Sequence, residues 1–260
     1  MPIRIDVRAD IHKAARELGL LRAQVLPIAA KAINVSMAKA DVAVKAEMQR
    51  VFDRPTPWTL KSYRILKYAK PAPGKLFGIV GFKDFGALGG EGKGQRNTSL
   101  ASYYLQPQMA GGPRPAKGLE REMRAVGMLG NNEFLVPSRF MKLDQYGNVG
   151  RGVVNAVRAN LRTMRFDPAS QTPRGGPRRK VSAKKFSMFY FTRRGVRGQR
   201  LTAIWQRFTG GHAVPAFIVV AAAPSYRKRF DQAPVVQREV DKNFRPEFEA
   251  AYARAVATAR

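Results

Sequence analysis

The chain contains no cysteine. That absence removes disulfides, iron–sulfur clusters, thiolate zinc sites and cysteine nucleophiles together, and it excludes thiol redox chemistry. Histidine is nearly missing too: only His12 and His212 are present, and neither has carboxylates at metal-ligand spacing beside it. His212, which follows Gly210 and Gly211, reads as a solvent-exposed turn residue. Long apolar runs are also lacking. The longest, residues 213–223, is about half of a membrane span and contains Pro215, so it is not a transmembrane helix. The start, Met1-Pro-Ile-Arg-Ile-Asp, has no apolar signal core, which argues against Sec export and for synthesis and assembly in a cytoplasm.

Acidic residues are scarce in one region above all. The chain has 47 lysines and arginines against 18 acidic residues, a net charge of +29. Between Asp144 and Asp231 the only acidic residue is Asp167, against eighteen lysines and arginines. The basicity is therefore a regional device, and a polyanion is the first partner to consider.

Motifs that carry chemistry fail on inspection. The glycine cluster at 89–94 invites a phosphate-loop reading, but Gly86 is one position too far from Gly92-Lys93, and Gly94 stands where a magnesium-binding hydroxyl is required. Ser36-Met-Ala-Lys39 and Ser182-Ala-Lys-Lys185 match the Ser-x-x-Lys spacing of penicillin-recognising enzymes without their companion elements. A helix surface and a linker are the preferred readings. Glu120 and Glu122, two apart on a helix, diverge and cannot form a catalytic pair. The reading is a non-enzyme with no catalytic residues, cofactor or metal.

Hydrophobic periodicity lays out the rest. Asp10 caps a long helix over 11–51, kinked at Pro27, whose alanine-rich second half suits close packing within the chain or between subunits. A hairpin of strands at 60–68 and 76–82 follows. Residues 84–118 form a long glycine-rich loop in which only 100–105 can pack. Tyr103, Tyr104 and Leu105 either dock that loop on a neighbouring subunit or ride on a mobile segment. A short amphipathic helix at 117–126 stopped by Gly127, a strand at 134–136 and a helix at 151–164 come next. The basic linker 166–185 is the best internal boundary. A strand at 185–192, hydrophobic on both faces, is expected at the centre of a sheet with partners at 201–208 and 216–222. A helix from Val235 closes the chain. Its apolar stripe of Val236, Val240, Phe244, Phe248, Tyr252 and Val256 is spaced by four and so winds around the axis, with a bend due at Pro246. The fold class is α+β: a central, mostly antiparallel sheet with long helices at both ends, in segments 1–165 and 186–260 that pack as one domain.

The segments Pro173-Arg-Gly-Gly-Pro-Arg-Arg-Lys and Arg193-Arg-Gly-Val-Arg-Gly-Gln-Arg put Arg174, Arg178, Arg179, Lys180, Arg193, Arg194, Arg197 and Arg200 on flexible backbone around the aromatic strand. Arginine's planar fork suits phosphate oxygens. No helix-turn-helix, zinc finger or RNA-binding signature is present, so DNA contact would be to the backbone and insensitive to sequence. An acidic protein neighbour answers the same charge.

At Leu143-Asp144-Gln145-Tyr146-Gly147-Asn148-Val149-Gly150-Arg151-Gly152, with Pro137 upstream and a helix downstream, the chain resembles the minor tail protein Z family of lambda-like tailed phages, the tail completion proteins. Phe82-Lys83-Asp84, Tyr104-Leu105-Gln106-Pro107-Gln108 with Gly111-Gly112-Pro113-Arg114, and Tyr226-Arg227-Lys228-Arg229-Phe230 before the last helix are similar in order and spacing. The pattern spreads over about two thirds of the chain, and the basic segment 166–200 lies outside it. The resemblance implies a structural virion protein of the tail or neck, an oligomeric ring without catalytic residues that acts as the tail is finished and joined to the head. Its partners would be tail terminator, tail tube or head–tail connector proteins, with phage DNA touched through its backbone and no membrane contact. Within the motif, Asp144 and Asn148 are expected to bond local backbone, while Gly147 and Gly150 permit left-handed conformations.

Overall fold

The computed structural model describes residues 2–5, 22–72, 75–83, 101–166, 188–194, 200–208 and 212–258. The protein has an α+β fold with long helices towards both ends and antiparallel sheets. Two compact units divide the chain, and the first is discontinuous: unit 1 is residues 1–112 with 227–260, and unit 2 is residues 113–226. The division thus falls at 112/113 and 226/227 and not in the basic linker. The reason is that unit 2 pairs strands and packs side chains from both sides of 166–185.

In unit 1, α1 (Arg22–Val51) and α6 (Gln232–Thr258) run against each other. Val25, Ile28, Ala29, Ala32, Ile33, Met37, Ala40, Val44 and Met48 recur at the helical period and are all buried, which packs α1 into the core of unit 1. Alanine at 29, 32 and 40 removes bulk from that face. Pro27 lies inside α1, and the expected start at Asp10 is outside the described residues. On α6 the four-spaced stripe winds as expected: Val236, Val240, Phe244 and Phe248 are buried, Tyr252 is half-buried and Val256 is 43% exposed. Asp231 caps this helix by accepting from the Ala233 N–H at 3.1 Å, three residues earlier than Val235 suggested.

Against α1 lies a three-stranded antiparallel sheet in the order β1 (Ile3–Ile5), β3 (Gly78–Phe82), β2 (Tyr63–Lys67). The β2–β3 hairpin was expected, but residues 57–62 are not strand. Thr56 accepts from the Thr59 N–H at 3.2 Å, Pro57 stands at the first helical position, and α2 (Pro57–Ser62) results. Residues 101–110 are also helical rather than loop: α3 (Ala101–Ala110) buries Ala101 and Leu105 in unit 1's own core. The Gln108 carbonyl then accepts from the N–H groups of Arg229 and Phe230, at 2.8 and 3.2 Å. Residues 84–100 of the glycine-rich segment are outside the described residues.

Where the chain leaves and re-enters unit 1, β4 (Gly112–Pro113) and β9 (Ser225–Tyr226) pair. Unit 2 contains a four-stranded antiparallel sheet in the order β5 (Phe134–Pro137), β8 (Ala213–Val220), β7 (Arg200–Arg207), β6 (Met188–Arg194). The helices α4 (Gly118–Ala125) and α5 (Arg151–Phe166) belong to this unit. Leu119, Met123, Leu135, Val157, Leu161, Phe189, Phe191, Ile204 and Phe217 form its core. Among the described residues the aromatic strand β6 is therefore at the edge of the sheet, not at the centre as its two apolar faces suggested. Phe189 and Phe191 point into the core, while Tyr190 points out and stacks on Trp205 of β7, with centroids 6.2 Å apart and planes 9° from parallel. Ring stacking satisfies the outward apolar face that strand burial was expected to satisfy.

Candidate functional site

The expected basic surface is only partly within view. Arg174, Arg178, Arg179, Lys180 and Arg197 lie outside the described residues. Arg193 and Arg194 are the last two residues of β6 and Arg200 is the first of β7. The antiparallel register pairs Arg194 with Arg200 and Arg193 with Leu201, so the backbone brings these three arginines to one end of the β6–β7 pair.

Tyr103, Tyr104 and Leu105, expected on a docking loop, sit on α3 instead. Leu105 is buried in unit 1, and the Tyr104 hydroxyl lies 2.6 Å from the Thr59 hydroxyl, which ties α3 to α2. Tyr103 and Tyr104 remain more than a third exposed. A gap of polar and small residues at 106–111 hid this helix from periodicity, because Pro107 and two glutamines interrupt the apolar pattern.

The Leu143–Gly152 motif folds into a closed loop ahead of α5. The Asp144 carboxylate accepts from the N–H groups of Tyr146 at 2.9 Å and Asn148 at 2.8 Å. The Asp144 N–H donates to the Asn148 carbonyl at 2.8 Å, and Leu143 bridges Val149. Gly147 adopts φ 76° as expected. Gly150 does not: its carbonyl accepts from Val153 and Val154 and starts α5, a role that requires no left-handed backbone.

Glu120 is the residue that sequence reasoning undervalued. It is 1% exposed and accepts four hydrogen bonds: from Arg114 Nη1 and Nη2 at 2.9 and 2.6 Å, the Lys117 N–H at 2.6 Å and the Leu135 N–H at 2.8 Å. Arg114 also donates to the Leu135 carbonyl at 3.1 Å. The pair thus takes the N–H and C=O that edge strand β5 turns away from β8, in the place a fifth strand would occupy. Burial opposes ionisation of Glu120, but the Arg114 hydrogen bonds, the Leu135 and Lys117 N–H groups and the Arg114 charge outweigh it. The carboxyl is held below its ordinary range. Glu120 sits three residues after the cap position Lys117, the spacing of a capping box, and that was the available signal. Glu122 points elsewhere and pairs with Arg158 at 3.0 Å, beside Asn155 and Ala159 in an open notch.

Among the residues singled out by motif, Ser36 is fully buried and its hydroxyl has no partner, so it is core and not helix surface. Lys39 is engaged with Asn243 and Glu247 of α6, at 2.9 and 2.8 Å. His212 is exposed at the β7–β8 hairpin and stacks on Phe208, centroids 4.8 Å apart. Among the described residues no three His, Asp or Glu side chains gather as a metal site, and no helix is long and apolar enough to cross a membrane. Comparison with protein-family models, with curated proteins and with solved structures finds no match to this chain.

Proposed function

We propose that the chain is a structural, non-enzymatic virion protein of a tailed phage, a tail completion or neck component at the head-proximal end of the tail. One observation carries the reading: the segments that resemble minor tail protein Z are framework in this fold. Phe82 and Phe230 are core. Gly111 and Gly112 take φ 82° and 96°, Arg114 holds Glu120, and Asp144 and Gly147 close the loop that starts α5. Residues that serve shape rather than chemistry suit a subunit that repeats in a ring, with its basic surface towards DNA or acidic neighbours. Assembly in a host cytoplasm and residence in the virion go with that reading.

Co-expression with the products of the neighbouring genes, followed by electron microscopy, tests it. A ring that joins tail tube, terminator or connector subunits is the expected result. A monomer that never enters particles overturns the reading. Replacing Arg174, Arg178, Arg179, Lys180, Arg193, Arg194, Arg197 and Arg200 by glutamine should impair head–tail joining or DNA retention, and normal infectious particles would remove that role from the basic patch. The acid-free run of residues 168–230 favours a second reading, a free sequence-nonspecific DNA-binding protein. It requires that the isolated protein bind duplex DNA with a steep salt dependence.

A further inference from the structure

The sheet of unit 2 has one face on the core and one face open. On the open face Tyr190 and Ile218 are 37% and 41% exposed, and Trp205 is half-buried beside Tyr190. The indole does not swing freely, because its Nε1 donates to the Thr192 hydroxyl at 3.3 Å and its ring is held parallel to Tyr190. This is a preorganised aromatic pair on adjacent strands, with little rotamer freedom left to lose on binding.

Charge frames the pair along the strands. Arg194 and Arg200 pair at one end of β6 and β7, in register positions that alternate with the core-facing residues, and exposed Arg207, opposite Met188, stands at the other. At about 3.3 Å per residue, the two ends lie within about 15 Å of Tyr190. None of the four strands carries an acidic residue. Flat rings between arginines, with no acid among them, match a ligand that offers planar unpaired bases and a phosphate backbone together. A duplex keeps its bases stacked internally and cannot use the rings. An apolar protein surface would leave the arginines at both ends unanswered.

We propose that this face binds single-stranded nucleic acid, with bases stacked on Tyr190 and Trp205 and the phosphate backbone drawn by the positive charge at the two strand ends. The proposal stands whether or not the protein is a virion component.

The test uses the full chain in a Trp58→Phe background, which leaves Trp205 as the sole indole. A fluorescein-labelled 20-mer of dT and a 20-base-pair duplex are titrated at the same salt. The 20-mer is expected to quench Trp205 emission and to bind more tightly than the duplex. Tyr190→Ala and Trp205→Leu should each weaken 20-mer binding about tenfold and leave duplex binding and the salt slope unchanged, while Tyr190→Phe retains affinity. Tyr190 is an exposed side chain, so its variants carry the test even if Trp205→Leu does not fold. Failure to bind the 20-mer, or equal losses for 20-mer and duplex, overturns the proposal. So does a Tyr190→Ala variant whose sedimentation changes while its 20-mer affinity does not, which would make the face a protein contact.

Discussion

Among the largest fully buried side chains, those of unit 1 are Tyr63, Phe82, Phe230, Phe248, Ile33, Met37, Met48, Val44 and Val80, whereas those of unit 2 are Met123, Ile204 and the carboxylate Glu120. Unit 1 closes by apolar packing between two long helices and a sheet, and it tolerates the Ser36 and Tyr63 hydroxyls without partners. Burial and the nearby Asp41 push the Tyr63 hydroxyl above its ordinary ionisation range. Unit 2 closes around a satisfied ion pair that finishes a sheet edge. Its sequence has twenty-one lysines and arginines against five acidic residues, a four-to-one excess where unit 1 has two to one. The comparison teaches that one of those five acids is committed to the interior, so the surface of unit 2 is more one-sided than its composition.

The sharpest way to break the contrast is Glu120→Ala. It strands Arg114, whose side chain is 9% exposed, and frees the Leu135 and Lys117 N–H groups. A loss of about 3–5 kcal/mol is expected, confined to unit 2, because removing one partner leaves a buried charge uncompensated. Calorimetry with mapped proteolysis would show unit 2 opening while unit 1 holds; equal loss in both units would contradict it. The pH dependence follows from the same carboxylate. Its folded-state value lies below the unfolded value of about 4.3, so its stabilisation is present above that pH and is lost as pH falls through the folded value. Glu120→Gln should therefore flatten the acid limb of unit 2's stability curve and leave unit 1's unchanged.

Unit 1 should be the more sensitive to volume. A Cβ at Gly78 would collide with Sδ and Cε of the fully buried Met37. Gly78→Ala is expected to cost about 1–3 kcal/mol, with denaturant titration as the measurement, and Met37→Ala in the same chain should recover part of that. Within unit 2, Gly147→Ala should cost about 1 kcal/mol because φ is 76°, whereas Gly150→Ala should be near neutral, since a Cβ there meets nothing within 4 Å. Equal costs for the two would refute the loop geometry. The smallest effect is expected from Tyr104→Phe, which removes the hydroxyl that meets Thr59. About 1 kcal/mol or less in unit 1 is the expected loss in thermal melts.

The parts legible in the sequence were those with a strong period or a local cap. α1, α6, α4 with its Gly127 stop and the β2–β3 hairpin all announce themselves by spacing. The misreadings share a cause, which is that local chemistry was judged without its distant partner. Residues 60–62 read as the start of a strand, when Thr56 and Pro57 begin a short helix that runs through them. The two-sided hydrophobicity of β6 suggests burial on both faces, but Tyr190 stays exposed and stacks on Trp205, fifteen residues on. Glu120 is meaningful only once Leu135 is beside it. The basic residues were legible as charge, but which end of which strand they occupy depended on the register of β6 with β7.

The discontinuity of unit 1 sets an order of events during synthesis. α1 leaves the ribosome about 180 residues before α6, and the whole of unit 2 is made in between. Unit 2 can close as soon as β8 and β9 emerge, because domains fold as their residues become available. The apolar face of α1 has no such option and must wait for Val236, Val240, Phe244 and Phe248. A pause or truncation just after residue 226, before the last helix is made, would therefore yield a finished unit 2 within an unfinished unit 1, with the alanine-rich face of α1 open to whatever chaperone or sister chain arrives first.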